Sequence, residues 1–372
     1  DRSPSRGLGD VYKRQIQEAQ IFNGDMGYPE GPVTYLSPEW LEFFKFAVQE
    51  AQRLGLEIGF HNGAGWSSSG GPWVTPEYAM QTVVYSEVQH KGGNRFKGKL
   101  PLPPTKLNYY KDIAVLAFPK PQQETKIDDL ALKSLSGHSF RNHLEPDTKE
   151  IPQPALVDKN RILNLTSKLA SDGTLEWEAP KGDWIILRLG HTPNGEENHP
   201  AVIGGRGLEC DKMSRAAVDV YWQGGIKPIL DKLGSLAGTT LVNCIIDSYE
   251  VGCNNWTSGF RDAFKRLRGY DCLSYLPALA GYYVDSGEIT ERFLWDFRRT
   301  IGDLMAENYY GYFRELCHQT GLKLSIEPYG GPFECLQVGA MGDIVMSEFW
   351  SGGNISVSYT HLRAHETDSY LV

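Results

Sequence analysis

The chain has 372 residues, 41% of them hydrophobic and 12% aromatic, with a formal net charge of −9. That length and apolar content allow one large domain or two ordinary ones with a sizeable core. The acidic balance argues against a nucleic-acid partner, since phosphate binding needs a basic surface, and no apolar run reaches the length of a membrane span.

Residues 1–15, DRSPSRGLGDVYKRQ, show no apolar periodicity, and residues 357–372 break from the style of what precedes them. Both ends resemble translated sequencing-adaptor ends. They are set aside here, and the expectation is an internal fragment. His361 and His365 stand at i, i+4 spacing but fall in the part set aside.

Residues 16–81 read as the first units of an α/β barrel. Residues 17–32 are loop-like. Ser37-Pro38-Glu39 then starts a helix, with Ser as N-cap, Pro at the first helical position and an acid in the first turn. Gly55 ends it. Residues 56–60, LEIGF, form a short strand, followed by a Gly/Ser loop that carries His61, Asn62, Trp66 and Trp73. Small residues let backbone approach a ligand closely. The two indoles suit the faces of sugar rings, and His61 or Asn62 suits hydroxyls. A long structural βα loop is the plain alternative, and the glycine spacing is not a Walker loop.

Residues 82–200 read as a β-rich, sandwich-like insertion. Strand-like segments begin at Val83 and recur at 113–118, 161–165, 174–178 and 184–189, with Asp172-Gly173 and Gly182-Asp183 as turns. His191, Glu196, Glu197 and His199 gather loosely after them, more simply as a solvated loop than as a metal site. Residues 201–356 read as a continuation of the barrel. Glu209, Asp211 and Lys212 either line a site or form a surface ion pair of little worth. A helix follows over 214–233.

Residues 241–246 form an apolar, β-branched run suited to a strand buried on both faces. The run turns abruptly polar at Asp247, Ser248, Tyr249 and Glu250, and ends in a loop with Asn255 and Trp256. A long amphipathic helix is expected over 289–320. Strand 322–326 runs into Glu327-Pro328-Tyr329, and strand 343–347 into Glu348. Three successive strands thus end in Glu250, Glu327 and Glu348. At the carboxyl ends of parallel strands such acids converge on one pocket. The six cysteines form no CxxC pair, so neither zinc nor a thioredoxin-like motif is signalled.

Strand-end glutamates beside tryptophans suit glycosidic cleavage. One carboxylic acid protonates the leaving oxygen while a second carboxylate activates water or attacks the sugar. The acid must stay protonated near neutral pH, and Asp247, three residues before Glu250, can supply the anion that raises its pKa. A retaining route with Glu348 as nucleophile stays open. So does a non-catalytic sugar-binding platform of Trp66, Trp73 and Trp256.

The runs NGAGWSSSGGPWVTPEYAMQ, GLECDK, IDSYEVGCNNWT, EPYGGP and SEFW, in that order, resemble glycoside hydrolase family 106, the α-L-rhamnosidases. The resemblance spans roughly residues 20–350. It implies a (β/α)8 TIM-type barrel with β-sandwich accessory domains, here a partial barrel. It implies inverting hydrolysis of a rhamnose-containing oligosaccharide, polysaccharide or glycoside, with calcium as cofactor holding the sugar hydroxyls. A secreted or periplasmic location also follows from it. Carried over residue by residue, Glu250 is the general acid, Glu348 an active-site carboxylate contacting metal or substrate, and Glu327 a strand-end acid of unfixed role. The family's base lies on a strand beyond the EFW position, where the foreign-looking tail begins, so the chain is expected to lack it and to be inert alone.

Overall fold

The structure is a computed structural model and describes residues 13–16, 32–66, 69–137 and 149–347. Its main sheet is parallel, in the order β1 (Lys13–Ile16), β2 (Glu57–His61), β9 (Leu241–Ile246), β10 (Lys323–Ile326), β11 (Ile344–Val345). Lys13–Gln15 belong to a stretch that reads as foreign, yet they pair with Glu57–Gly59. An edge strand is held through backbone hydrogen bonds, so its side chains need no apolar period.

Between β2 and β9 the chain builds β3 (Gln81–Lys91), β4 (Arg95–Lys99), β5 (Lys111–Pro119), β6 (Leu163–Asn164), β7 (Thr174–Glu178) and β8 (Asp183–Pro193). These form an antiparallel sheet in the order β3-β8-β5-β6 and a two-stranded sheet, β4-β7. Strands β5 and β8 are buried on both faces. Val115, Ala117, Trp184 and Ile186 pack with Leu175 and Trp177 of the small sheet. Ala114, Leu116, Phe118, Ile185, Leu187 and Leu189 point the other way into a larger core. Period-2 alternation within one apolar run thus feeds two cores. Strand β4 escapes sequence detection because RFKGK is polar and turns only Phe96 toward the core.

The helices are α1 (Pro38–Arg53), α2 (Leu130–Lys133), α3 (Arg215–Tyr221), α4 (Lys227–Leu233), α5 (Phe260–Arg268), α6 (Gly287–Met305), α7 (Tyr312–Gln319) and α8 (Cys335–Gly339). Ser37 caps α1 as expected, its Oγ accepting from Trp40 N at 3.1 Å. Helices α1, α3, α4 and α7 share a core with Phe60, Cys244, Ile246, Leu324 and Ile326 of the parallel strands. The helix expected over 214–233 is interrupted by a π-helical turn, Trp222–Ile226, just before Pro228. Proline lacks an N–H, which breaks the regular ladder there. A second π turn, Ala306–Gly311, separates α6 from α7 in the long helix. Among the described residues no helix is long and apolar enough to cross a membrane.

Register fixes the site. His61 lies opposite Ile245, and Ile246 opposite Ile326. The ladder continues one step past the strands, with Asn62 N donating to Ile245 O at 2.8 Å and Glu327 N to Ile246 O at 3.0 Å. His61, Asp247 and Glu327 therefore meet at one edge of the sheet, its carboxyl end.

Candidate active site

Two carboxyl groups dominate this edge. Glu327 is 9% exposed. Its Oε2 accepts from Tyr329 OH at 3.0 Å and from Ser248 Oγ at 3.2 Å, and its carboxyl is hydrogen-bonded to that of Asp247. Burial first, and the Asp247 charge second, push Glu327 up to about 8. It is thus protonated at neutral pH. Asp247 Oδ1 also accepts from Ser248 N at 2.7 Å. On its other side His61 Nδ1 stands 3.4 Å from Asp247 Oδ2. Burial holds the His61 imidazole below its ordinary value, with Asp247 pulling against it.

Glu250 is partly exposed, four residues beyond β9. Its Oε2 accepts from Trp66 Nε1 at 2.9 Å. The indole is partly exposed as well, so the loops after β2 and β9 meet through an acid and a tryptophan at the rim. Asp247 presses on Glu327, because the next strand sets Glu327 beside it in register. Ser248 is missed by sequence reasoning. Its signal is its place between Asp247 and Tyr249 at a strand end, but a serine there looks like ordinary turn chemistry.

Four candidates turn into the fold. Asn62 is 3% exposed. Its Nδ2 donates to Ser69 Oγ at 2.6 Å and to Tyr309 OH at 3.2 Å, and its carbonyl accepts from Tyr221 OH. Trp73 packs against Tyr221 and fills a slot opened by Gly224 and Gly225, where any Cβ would collide with the indole. Asn255 is a clamp, accepting from Val83 N at 2.7 Å and donating to Ser134 O at 2.8 Å. Trp256 lies in the core against Phe260, with ring centroids 4.8 Å apart. Asn62, Asn255 and Trp256 are buried, and Trp73 is partly exposed with its ring given to packing. Glu348 lies outside the described residues, as do His361 and His365.

Glu209 and Lys212 form neither a rim nor a surface pair. Both side chains are 0% exposed, with Nζ 2.7 Å from Glu209 Oε2, which also accepts from Ser69 N. Asp211 is pushed up to about 6 by burial. His191 bonds Gln81 Oε1 at 3.1 Å, and burial lowers it to about 4. It does not join Glu196, Glu197 and His199. Calcium takes six to eight oxygen ligands. Asp247, Glu327, Ser248 and Tyr329 are oxygen donors, but they bond one another. Among the described residues no group of three or more His, Cys, Asp or Glu could hold a metal ion. This set does not amount to a calcium site, and no step below runs through one.

Acidic side chains and an indole thus stand on the loops at the carboxyl end of a parallel α/β sheet, the end where such folds place their sites. The chain belongs to glycoside hydrolase family 106, whose model, described as alpha-L-rhamnosidase, matches residues 13–369. That match takes in Lys13–Gln15 and residues 357–369, which read as foreign in style. The chain is 69% identical, over 338 residues and 91% of its length, to a protein of Formosa agariphila named "Putative beta-glucuronidase". It covers 29% of that protein's length. Among solved structures it is similar to a rhamnosidase from Novosphingobium sp. PP1Y, with a TM-score of 0.75 and 25% identity, covering 88% of this chain and 44% of that one.

Proposed function

We propose that this chain carries the acid half of an inverting α-L-rhamnoside hydrolase site. We read its parallel strands as part of a (β/α)8 barrel and its antiparallel sheets as a sandwich domain. The observation that carries the reading is the Trp66–Glu250 hydrogen bond between the loops that follow β2 and β9, at the end of the sheet where Glu327 is raised against Asp247. Glu250 is the general acid. Trp66 Nε1 donates to one of its oxygens and orients the carboxyl group that delivers a proton to the leaving oxygen. Asp247, Glu327 and His61 form a polar floor for the sugar hydroxyls. The water-activating carboxylate is not assigned to a described residue.

A neutral deoxy sugar fits better than a uronate. Among the described residues the basic group in contact with Asp247 is His61, whose charging burial disfavours, and no lysine or arginine contacts Asp247 or Glu327. A uronate carboxylate placed there would meet like charge with no cation to offset it. The printed name of the Formosa relative makes an aryl β-glucuronide the comparison substrate. The elevated Glu327 supports a second reading, in which Glu327 itself is the acid.

One experiment separates these readings. Glu250→Gln and Glu327→Gln are assayed on aryl α-L-rhamnosides with good and poor leaving groups. Losing the general acid slows poor leaving groups far more than good ones. If Glu250→Gln slows both alike, the acid role passes from Glu250. If the unaltered protein cleaves the glucuronide and not the rhamnosides, the rhamnoside reading falls.

A further inference from the structure

The segment that returns from β8 toward α3 folds around a cavity of about 300 Å³, lined by Glu196, Glu197, Asn198, His199, Ala201 and Arg206. That is the lower end of the range for small-ligand sites. Its position is tied to the rim from two sides. Asn198 is 2% exposed, and its Nδ2 donates to Ala64 O at 3.1 Å and to Gly205 O at 3.0 Å. Ala64 stands two residues before Trp66. Between them Gly65, at φ +91°, lies against the Pro200 carbonyl, where a Cβ would collide with it. On the other side Asn194 Nδ2 donates to Cys253 O at 3.0 Å. The Glu196 carboxyl carbon lies 4.0 Å from where a Cβ on Gly252 would sit. The loops that hold Trp66 and Glu250 are therefore both anchored to the segment that forms this cavity.

The lining chemistry suits hydroxyls. Arg206 Nε donates to Glu197 Oε2 at 2.7 Å, with the two side chains 50% and 42% exposed. That bond uses one edge of a guanidinium and one oxygen of a carboxylate. The guanidinium has further N–H donors and the carboxylate further lone pairs, so Arg206 can donate to a sugar hydroxyl and Glu197 can accept from one. Glu196 adds a second carboxylate, so the lining sets two carboxylates against one guanidinium. An acidic sugar would be repelled.

We propose that this cavity is a second sugar subsite, taking a neutral sugar on the leaving-group side of the scissile bond. This rests on the reading of Glu250 as the acid, because the acid faces the leaving group. It narrows the natural substrate to a rhamnosyl oligosaccharide rather than a simple aryl glycoside.

The test is calorimetric binding of L-rhamnose, of an α-L-rhamnosyl-glucose disaccharide and of its glucuronate counterpart. The protein and its Glu196→Ala/Glu197→Ala variant are compared. Glu196 is exposed and Glu197 half-exposed, so the fold tolerates the change. The variant is expected to bind the neutral disaccharide at least tenfold more weakly and L-rhamnose within twofold of the parent. The parent is expected to favour the neutral disaccharide over the acidic one. Equal losses for both sugars, no loss for either, a preference for the glucuronate, or no disaccharide binding by the parent would each overturn the subsite. Hydrolysis of p-nitrophenyl α-L-rhamnoside is measured separately. Its absence beside the expected binding pattern sinks the cleavage reading and leaves the subsite standing.

Discussion

The loop after β2 and the loop after β9 are built alike, and each divides into two parts. At or close to its strand's end each carries site groups, His61 and Trp66 in one and Asp247 and Glu250 in the other. Further along, each loop turns inward, Trp73 into the slot at Gly224 and Gly225, and Asn255 and Trp256 into the core beside Phe260. Two tryptophans seven residues apart thus have different work. Trp66 gives its N–H to Glu250, while Trp73 gives its ring to packing. Closeness to a parallel strand's carboxyl end, more than residue type, separates site from scaffold. Asn62 is the exception. It is next to His61 but turned into the network of Ser69, Tyr221 and Tyr309.

The largest effect should come from the near half of a loop. Glu250→Gln is expected to lower turnover of a poor-leaving-group α-L-rhamnoside by about 10²–10⁴-fold with an unchanged melting temperature. A comparable loss from Asn255→Ala would erase the distinction. In the far half, Trp256→Ala should cost about 3–5 kcal/mol of stability, read from urea unfolding, whereas Trp66→Ala should cost far less stability and be felt in turnover.

The two buried pairs sharpen the contrast next. Lys212→Met leaves Glu209 charged and buried, and should cost about 3–5 kcal/mol. Adding Glu209→Gln should restore part of that. Glu327 has the opposite sign of problem, like charge beside like charge. Its folded pKa of about 8 stands above the ordinary 4.5. The unfolded chain therefore releases this proton first, and stability is lost as pH rises from about 4.5 through about 8. Glu327→Gln should flatten that slope in melting temperature against pH. A slope unchanged in the variant would place the titrating group elsewhere.

Much of this was legible in the amino-acid order. The run at 241–246 followed by Asp247 announces a buried parallel strand with a polar end, and the Ser37-Pro38 start of α1 is written in its capping chemistry. Three features were not legible, each for a long-range reason. The packing of Trp73 depends on two glycines about 150 residues further on. Asn255 looks like a loop polar group until Val83 N and Ser134 O are brought to it. The Asp247–Glu327 contact is a product of strand register, which places neighbours that are 80 residues apart in the chain.

Strand β8 sends alternate side chains into two cores, one shared with the small β4-β7 sheet and one shared with Phe293 and Phe297 of α6. The antiparallel segment is therefore no detachable cassette. Excision would strip α6 of its greasy cover, and transplantation would carry a naked apolar surface into a new host. Heat should melt the two sheets together in a single cooperative event.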